Sequence, residues 1–132
     1  MSEFQQGNYL IHGLRKDVAY SVASGEAIKI GTLPKGAIVL RTVSGVTEAF
    51  DAGTTNVLIV GTAADDDALV AAGGVDETAV AVTSVAPATL AGNVAASADT
   101  DIYVEYTQSG SAATAGNASV VVEYALDPAA YI

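Results

Sequence analysis

The sequence predicts an all-β chain folded as an antiparallel, jelly-roll-like β-sandwich, and three observations carry that expectation. Apolar and polar residues alternate at the two-residue period of half-buried strands in most segments. Gly, Pro, Asn, Asp and Ser clusters interrupt those segments at regular spacing, which predicts roughly eight to ten short strands. The hydrophobic fraction is 51%, yet only 6% is aromatic and there is no Trp. The apolar mass is therefore Ala and Val, small and β-branched side chains that suit stacked sheets. An immunoglobulin-like sandwich or a small barrel fits the same pattern.

The elements follow in order. Asn8–Leu14 and Asp17–Ala23 read as two strands around a break at Arg15-Lys16. Ala27–Gly31 (A-I-K-I-G) sets Ile28 and Ile30 on one face and Lys29 on the other. Leu33-Pro34-Lys35-Gly36 predicts a type I turn with Pro34 second and Gly36 fourth. Ala37–Val43 is the next strand, Ser44-Gly45 a break, and Val46–Phe50 another strand. Asp51–Asn56 is a loop by composition, and the apolar run Val57–Gly61 predicts a strand buried on both faces.

One short helix is expected near 65–72. Asp65, Asp66 and Asp67 can cap amides at its start, and Gly73-Gly74 can end it. Strands then return over Thr78–Val85, weakly over Leu90–Ala96, and clearly over Asp101–Thr107 and Asn117–Ala125. In the last two, Ile102, Val104 and Tyr106, and then Val120, Val122 and Tyr124, form the inward faces. Gln108–Gly116 is a loop, and Asp127-Pro128 should stop the final strand. Residues 1–16 read as an extended N-terminal arm and residues 17–132 as a single sandwich domain.

Charge is unevenly placed. All five Lys and Arg lie in the first 41 positions, whereas the remainder carries twelve of the fifteen acids and no base. A net charge of −10 repels nucleic acid phosphates, so no nucleic acid partner is expected. No run approaches the ~18 apolar residues of a membrane helix. The first residues lack a basic region followed by an apolar run, so synthesis in the cytoplasm is expected. With no Cys, neither disulfides nor thiolate metal sites are available.

Chemistry-bearing constellations are sparse. His12 is the single histidine, without a G-x-S-x-G elbow or partner ligands, so it reads as structural. Asp65–Asp67 lacks EF-hand spacing, because Val70 and Asp76 stand at its sixth and twelfth positions. Asp76/Glu77 and Asp99/Asp101 are carboxylate pairs without an aromatic sugar platform. No phosphate-binding glycine pattern is present. Asn117-Ala118-Ser119 matches the glycosylation sequon by chance. Tyr106 and Tyr124 read as core, and Tyr103 and Tyr131 as surface or interface tyrosines. No enzyme, cofactor or metal is expected. A cupin-like barrel would need more histidines than one.

Several segments resemble a known group: I-K-I-G-T-L-P-K-G-A-I-V-L-R (28–41), F-D-A-G-T-T-N-V-L-I-V-G-T (50–62), D-A-L-V-A (67–71) and Y-V-E-Y-T-Q-S-G-S-A-A-T-A-G-N-A-S-V-V-V-E-Y (103–124). Together they make up about two fifths of the chain. They resemble small virion proteins of tailed bacteriophages, the capsid decoration or cement proteins. That resemblance implies a jelly-roll-like sandwich on the outer face of a head, clamping major capsid protein subunits, with no catalytic residues to carry over. It implies self-association too, a homotrimer being preferred to a dimer. Tyr9, Leu10, Ile11, Arg15 and Lys16 are the candidate capsid or subunit contacts. A tail or fibre component, or a carbohydrate-binding module, would share the strand pattern.

Overall fold

The alternation becomes seven strands in the computed structural model, which describes residues 11–87 and 98–126. They are β1 (Ile11–Ala19), β2 (Ile28–Leu33), β3 (Ala37–Glu48), β4 (Thr55–Gly61), β5 (Val82–Val85), β6 (Thr100–Ser109) and β7 (Asn117–Leu126). A four-stranded sheet has the order β1-β7-β3-β5, and a three-stranded sheet the order β2-β6-β4. Every strand pair is antiparallel. The pairings β1 with β7, β2 with β6 and β3 with β5 are those of one long hairpin rolled into two layers. That is a jelly roll in which the expected partner of β4 is reduced to one bridge, Val60 to Val70.

Each strand turns its small apolar residues inward. In β7, Ala118, Val120, Val122 and Tyr124 are buried, and in β6 so are Ile102, Val104 and Tyr106. Leu58 and Val60 of β4, Leu33 of β2 and Val18 of β1 close the core between the layers. Each such valine or leucine contributes about 1.5–3 kcal/mol by leaving water. Phe50 and Tyr106 supply the aromatic centre, with ring centroids 4.6 Å apart. The Tyr106 hydroxyl donates to Asn56 Oδ1 at 2.6 Å, and burial pushes it above the usual phenol range. A buried tyrosine without that acceptor would be costly.

Several expectations need correction. No helix forms over 65–72. The Leu69 and Val70 amides donate to the Val60 carbonyl at 2.9 and 3.0 Å, and Val60 N–H donates back to Val70 at 3.1 Å. The Asp65 carbonyl, which a helix would give to Leu69, instead accepts from Thr62 and Ala68. Leu69 and Val70 are thereby pinned in the core, at 0% and 1% exposure. Neither proposed strand break occurs. β1 runs through Arg15-Lys16, because β7 supplies partners Val121 and Val120. β3 runs through Ser44-Gly45, because β7 and β5 pair with it from both sides.

The turn after β2 lies one residue later than expected. Ala37 N–H donates to Pro34 O at 3.0 Å, and Gly36 takes φ 89° at the third position. That is type II rather than type I, and only glycine adopts it without strain. The strand expected over Thr78–Val85 is confined to Val82–Val85, since residues 77–79 turn. β4 is not buried on both faces, because Val57 and Ile59 are half-buried. Ile11–Lys16 of the expected arm belong to β1. The rest of that arm, the Leu90–Ala96 strand and the tail from Asp127, Tyr131 included, lie outside the described residues. No helix among the described residues is long and apolar enough to cross a membrane.

Candidate assembly surfaces

Of the five contact residues read from the sequence, Tyr9 and Leu10 lie outside the described residues. The other three share β1, an edge strand, and all are exposed, Ile11 at 59%. Ile11 and Arg15 point to the outer face of the four-stranded sheet, and Lys16 opposite the buried Val120. Arg15 reaches Asp17 at 3.4 Å and Ser119 Oγ at 3.1 Å. The Ser119 hydroxyl donates to Asp17 at 2.7 Å and, with Arg15, holds that carboxyl below the usual range.

The chemical constellations resolve into structure. His12 stacks on Tyr124 with ring centroids 5.4 Å apart. Asp76 accepts the Thr78 amide and hydroxyl at 3.1 and 2.7 Å, closing a turn. Glu77, 7% exposed, accepts Leu58 N–H at 2.8 Å. Burial pushes the Glu77 carboxyl up, and the Leu58 amide partly offsets it. Asp99 accepts the Lys35 amide at 2.8 Å, and Asp101 accepts the Thr32 hydroxyl at 2.7 Å with Lys29 at 3.4 Å. Each of these carboxylates is engaged by a neighbouring amide, hydroxyl or ammonium group.

Asp65, Asp66 and Asp67 bring their carboxylates within 4.8 Å of one another in an exposed to half-buried turn. The hydrogen bond between Asp65 and Asp67 and the surrounding negative charge push the Asp67 carboxyl up. A shallow groove of about 300 Å³ runs beside this turn, between Thr62–Ala64 and Asp99–Tyr103.

The two outer faces differ in charge and relief. On the three-stranded sheet, Asp101, Tyr103 and Glu105 of β6 point outward beside Val57 and Ile59 of β4. The 65–66 backbone crosses this face over Gly61, where a Cβ would lie 2.3 Å from the Asp65 carbonyl oxygen. Asp66 pushes Glu105 further up, after burial. On the four-stranded sheet, register aligns Arg15, Val121, Val43 and Ser84 in one row and Asp17, Ser119, Gly45 and Val82 in the next. Gly13, Glu123 and Arg41 form the row above, and Arg41 meets Glu123 at 2.6 Å. Val82 is 76% exposed. Sequence reading missed this face because it split β3 at Ser44-Gly45. The signal was the alternation of Arg41, Val43 and Gly45 across that point.

No protein-family model matches the chain, and no curated protein matches it. The fold itself is shared with chains in solved structures. A chain in the capsid asymmetric unit of cyanophage Pam1 is similar with a TM-score of 0.68 at 21% identity, over 90% of this chain and 86% of that one. A chain in the acidic stable capsid structure of Helicobacter pylori bacteriophage KHP30 gives 0.65 at 16% identity, over 89% and 88%. A chain of the Ralstonia phage GP4 capsid gives 0.59 at 19% identity, over 92% and 85%. The paired coverages are nearly equal, so each of these chains is close to this one in length.

Proposed function

We propose that this chain is a virion structural protein, a decoration or cement protein that binds the outer face of a tailed-phage head and clamps neighbouring major capsid subunits. The observation that carries this reading is similarity of fold, over nearly the whole chain, to chains of matching length in three phage capsid structures. A small single-domain chain in a shell fits an accessory subunit added to a lattice. The mechanism is thermodynamic. A protein that binds only the expanded shell stabilises that state by mass action, without any chemical step. Occupied carboxylates and a stacked, solitary histidine agree with a non-enzymatic role. Copies would self-associate, as a homotrimer at threefold positions or a dimer at twofolds, and the chain would reside on the capsid surface after synthesis in the host cytoplasm.

The contact segment in this reading is the β1 edge and the residues before it: Tyr9, Leu10, Ile11, Arg15 and Lys16. Removing residues 2–16 would destroy most of β1 and unpair β7. The sharper test removes residues 2–10 and, separately, makes Arg15→Glu with Lys16→Glu. Co-sedimentation with expanded and precursor heads reads the result. The expected outcome is binding of the intact chain to expanded heads only, and at least tenfold weaker binding of both variants. Absence of binding by the intact chain to either head rejects the decoration role. Full-affinity binding by both variants rejects the β1 assignment.

A further inference from the structure

The outer face of the four-stranded sheet is apolar at its middle and carries less net charge than the opposite face. Val121 and Val43 sit side by side at its centre, with Val82 near one edge. Gly13, Gly45 and Ser119 keep the surrounding relief low. A Cβ on Gly45 would still lie 4.0 Å from its nearest neighbour, Val82. On this face Arg15 pairs with Asp17 and Arg41 with Glu123, and Glu48 at the end of β3 accepts the Gly116 amide. The opposite face carries Asp101, Glu105 and the Asp65–Asp67 turn, with Lys29 beside Asp101.

We infer that this face, centred on Val43 and Val121, docks face to face on the same face of a second copy of this chain. Charge decides the occupant. A chain of net charge −10 repels its own copies in most orientations. Apposing the two four-stranded sheets brings together the less charged surfaces, whose arginines are already paired, and holds the two acidic faces farthest apart. Under a twofold axis running along the strands between β7 and β3, Arg41 of one copy meets Glu123 of the other and the reverse, an isologous contact. Small residues let two sheets reach the ~10 Å spacing of packed layers.

Four strands spaced ~4.8 Å apart and about eight residues long present roughly 500 Å² per copy. The total of about 1,000 Å² stands at the lower limit for a specific interface, so the dimer dissociates on dilution. This selects a twofold arrangement over the threefold one. It does not depend on shell binding, because the test uses the isolated chain.

The test is sedimentation velocity with light scattering on the intact protein over a wide concentration range. The expected result is a rise from one to two chain masses. Val121→Lys should weaken association at least tenfold, because two like charges are then buried at the centre. Val82→Lys, at a position already 76% exposed and so harmless to the monomer, should weaken it too. Val57→Lys, half-buried on the opposite face, should leave it unchanged. Added salt should strengthen the dimer by screening the net charge. A single-chain mass throughout, a trimer, or a dimer indifferent to Val82→Lys and Val121→Lys would overturn the inference. Shell binding by a strictly monomeric chain would overturn it and leave the decoration role standing.

Discussion

The two sheets are built from the same alternation of small residues, yet each satisfies its outermost strand differently. In the four-stranded sheet the free edge of β3 receives a further strand, β5. In the three-stranded sheet the corresponding edge of β4 receives only the Val60–Val70 bridge and the Glu77 carboxylate on Leu58 N–H. The chain segment that would have formed an eighth strand instead folds over Gly61 and plugs the core with Leu69 and Val70. An edge amide needs an acceptor, and a buried side chain can supply it as well as a strand can. The consequence lies on the surfaces. The three-stranded sheet is overlaid and acidic outside, while the four-stranded sheet stays open, with its arginines paired.

Alanine at Gly61 breaks the comparison most severely. A Cβ there would lie 2.3 Å from the Asp65 carbonyl oxygen and 2.5 Å from the Asp66 carbonyl carbon, both backbone atoms that cannot step aside alone. Gly61→Ala should destabilise the fold by about 3 kcal/mol, as overpacking against backbone does. Urea unfolding measures this directly. A loss under about 1 kcal/mol would mean that the crossing segment is not held against β4.

Glu77 comes next. Glu77→Ala leaves the Leu58 amide buried without an acceptor and should cost about 2 kcal/mol, whereas Glu77→Gln keeps the acceptor and should cost far less. The pH dependence has a definite sign. Burial raises the native pKa of Glu77 above the ordinary 4.5, so the native state holds the proton more tightly than the unfolded chain. Its contribution is therefore fully present below pH 4.5 and is lost as pH rises through the native pKa. The stability difference between wild type and Glu77→Gln should shift in favour of wild type as pH falls through that window, then level off. A difference independent of pH would show that the carboxylate is solvated.

Much of this comparison was legible in the sequence, and what was not has a physical cause. The faces Ile102/Val104/Tyr106 and Val120/Val122/Tyr124 were readable because long strands repeat the signal several times over. The helix over 65–72 was misread because capping aspartates and an apolar run are local cues. The Val60 bridge that overrides them joins residues ten apart. Ser44-Gly45 looked like a break because its strand neighbours come from distant residues, Val120 and Ser119 on one side and Thr83 and Val82 on the other. The open outer face was hidden by that same split. On β1, the sequence placed Ile11 in a strand ending at Leu14 and Arg15-Lys16 in a break, and missed that β7 would hold all three in one strand.

The inner faces sharpen the contrast at a smaller scale. In the three-stranded sheet the inward hydroxyl of Tyr106 has its partner, Asn56. In the four-stranded sheet Thr42 and Ser44 point inward from β3 at 1% and 2% exposure, and neither hydroxyl has a partner. Thr42→Val keeps the shape and removes the unpaired group, so it should stabilise the protein by about 1 kcal/mol. Thermal unfolding should show a higher midpoint. A lower midpoint would mean that the hydroxyl finds an acceptor or a bound water in solution.

The smallest expected effect returns to glycine, now on the other sheet. Gly45 points outward from β3, its nearest neighbour for an added methyl being Val82 Cγ2 at 4.0 Å, ordinary contact. Its φ is not positive, so an alanine suffers no backbone strain there. Gly45→Ala should therefore leave stability within about 0.5 kcal/mol of wild type, or raise it slightly by restricting the unfolded chain. The same single methyl thus costs about 3 kcal/mol on the overlaid face and almost nothing on the open one. Should Gly45→Ala prove as damaging as Gly61→Ala in the same urea titration, the four-stranded sheet must be covered within the monomer. Its outer face would then be closed to any partner.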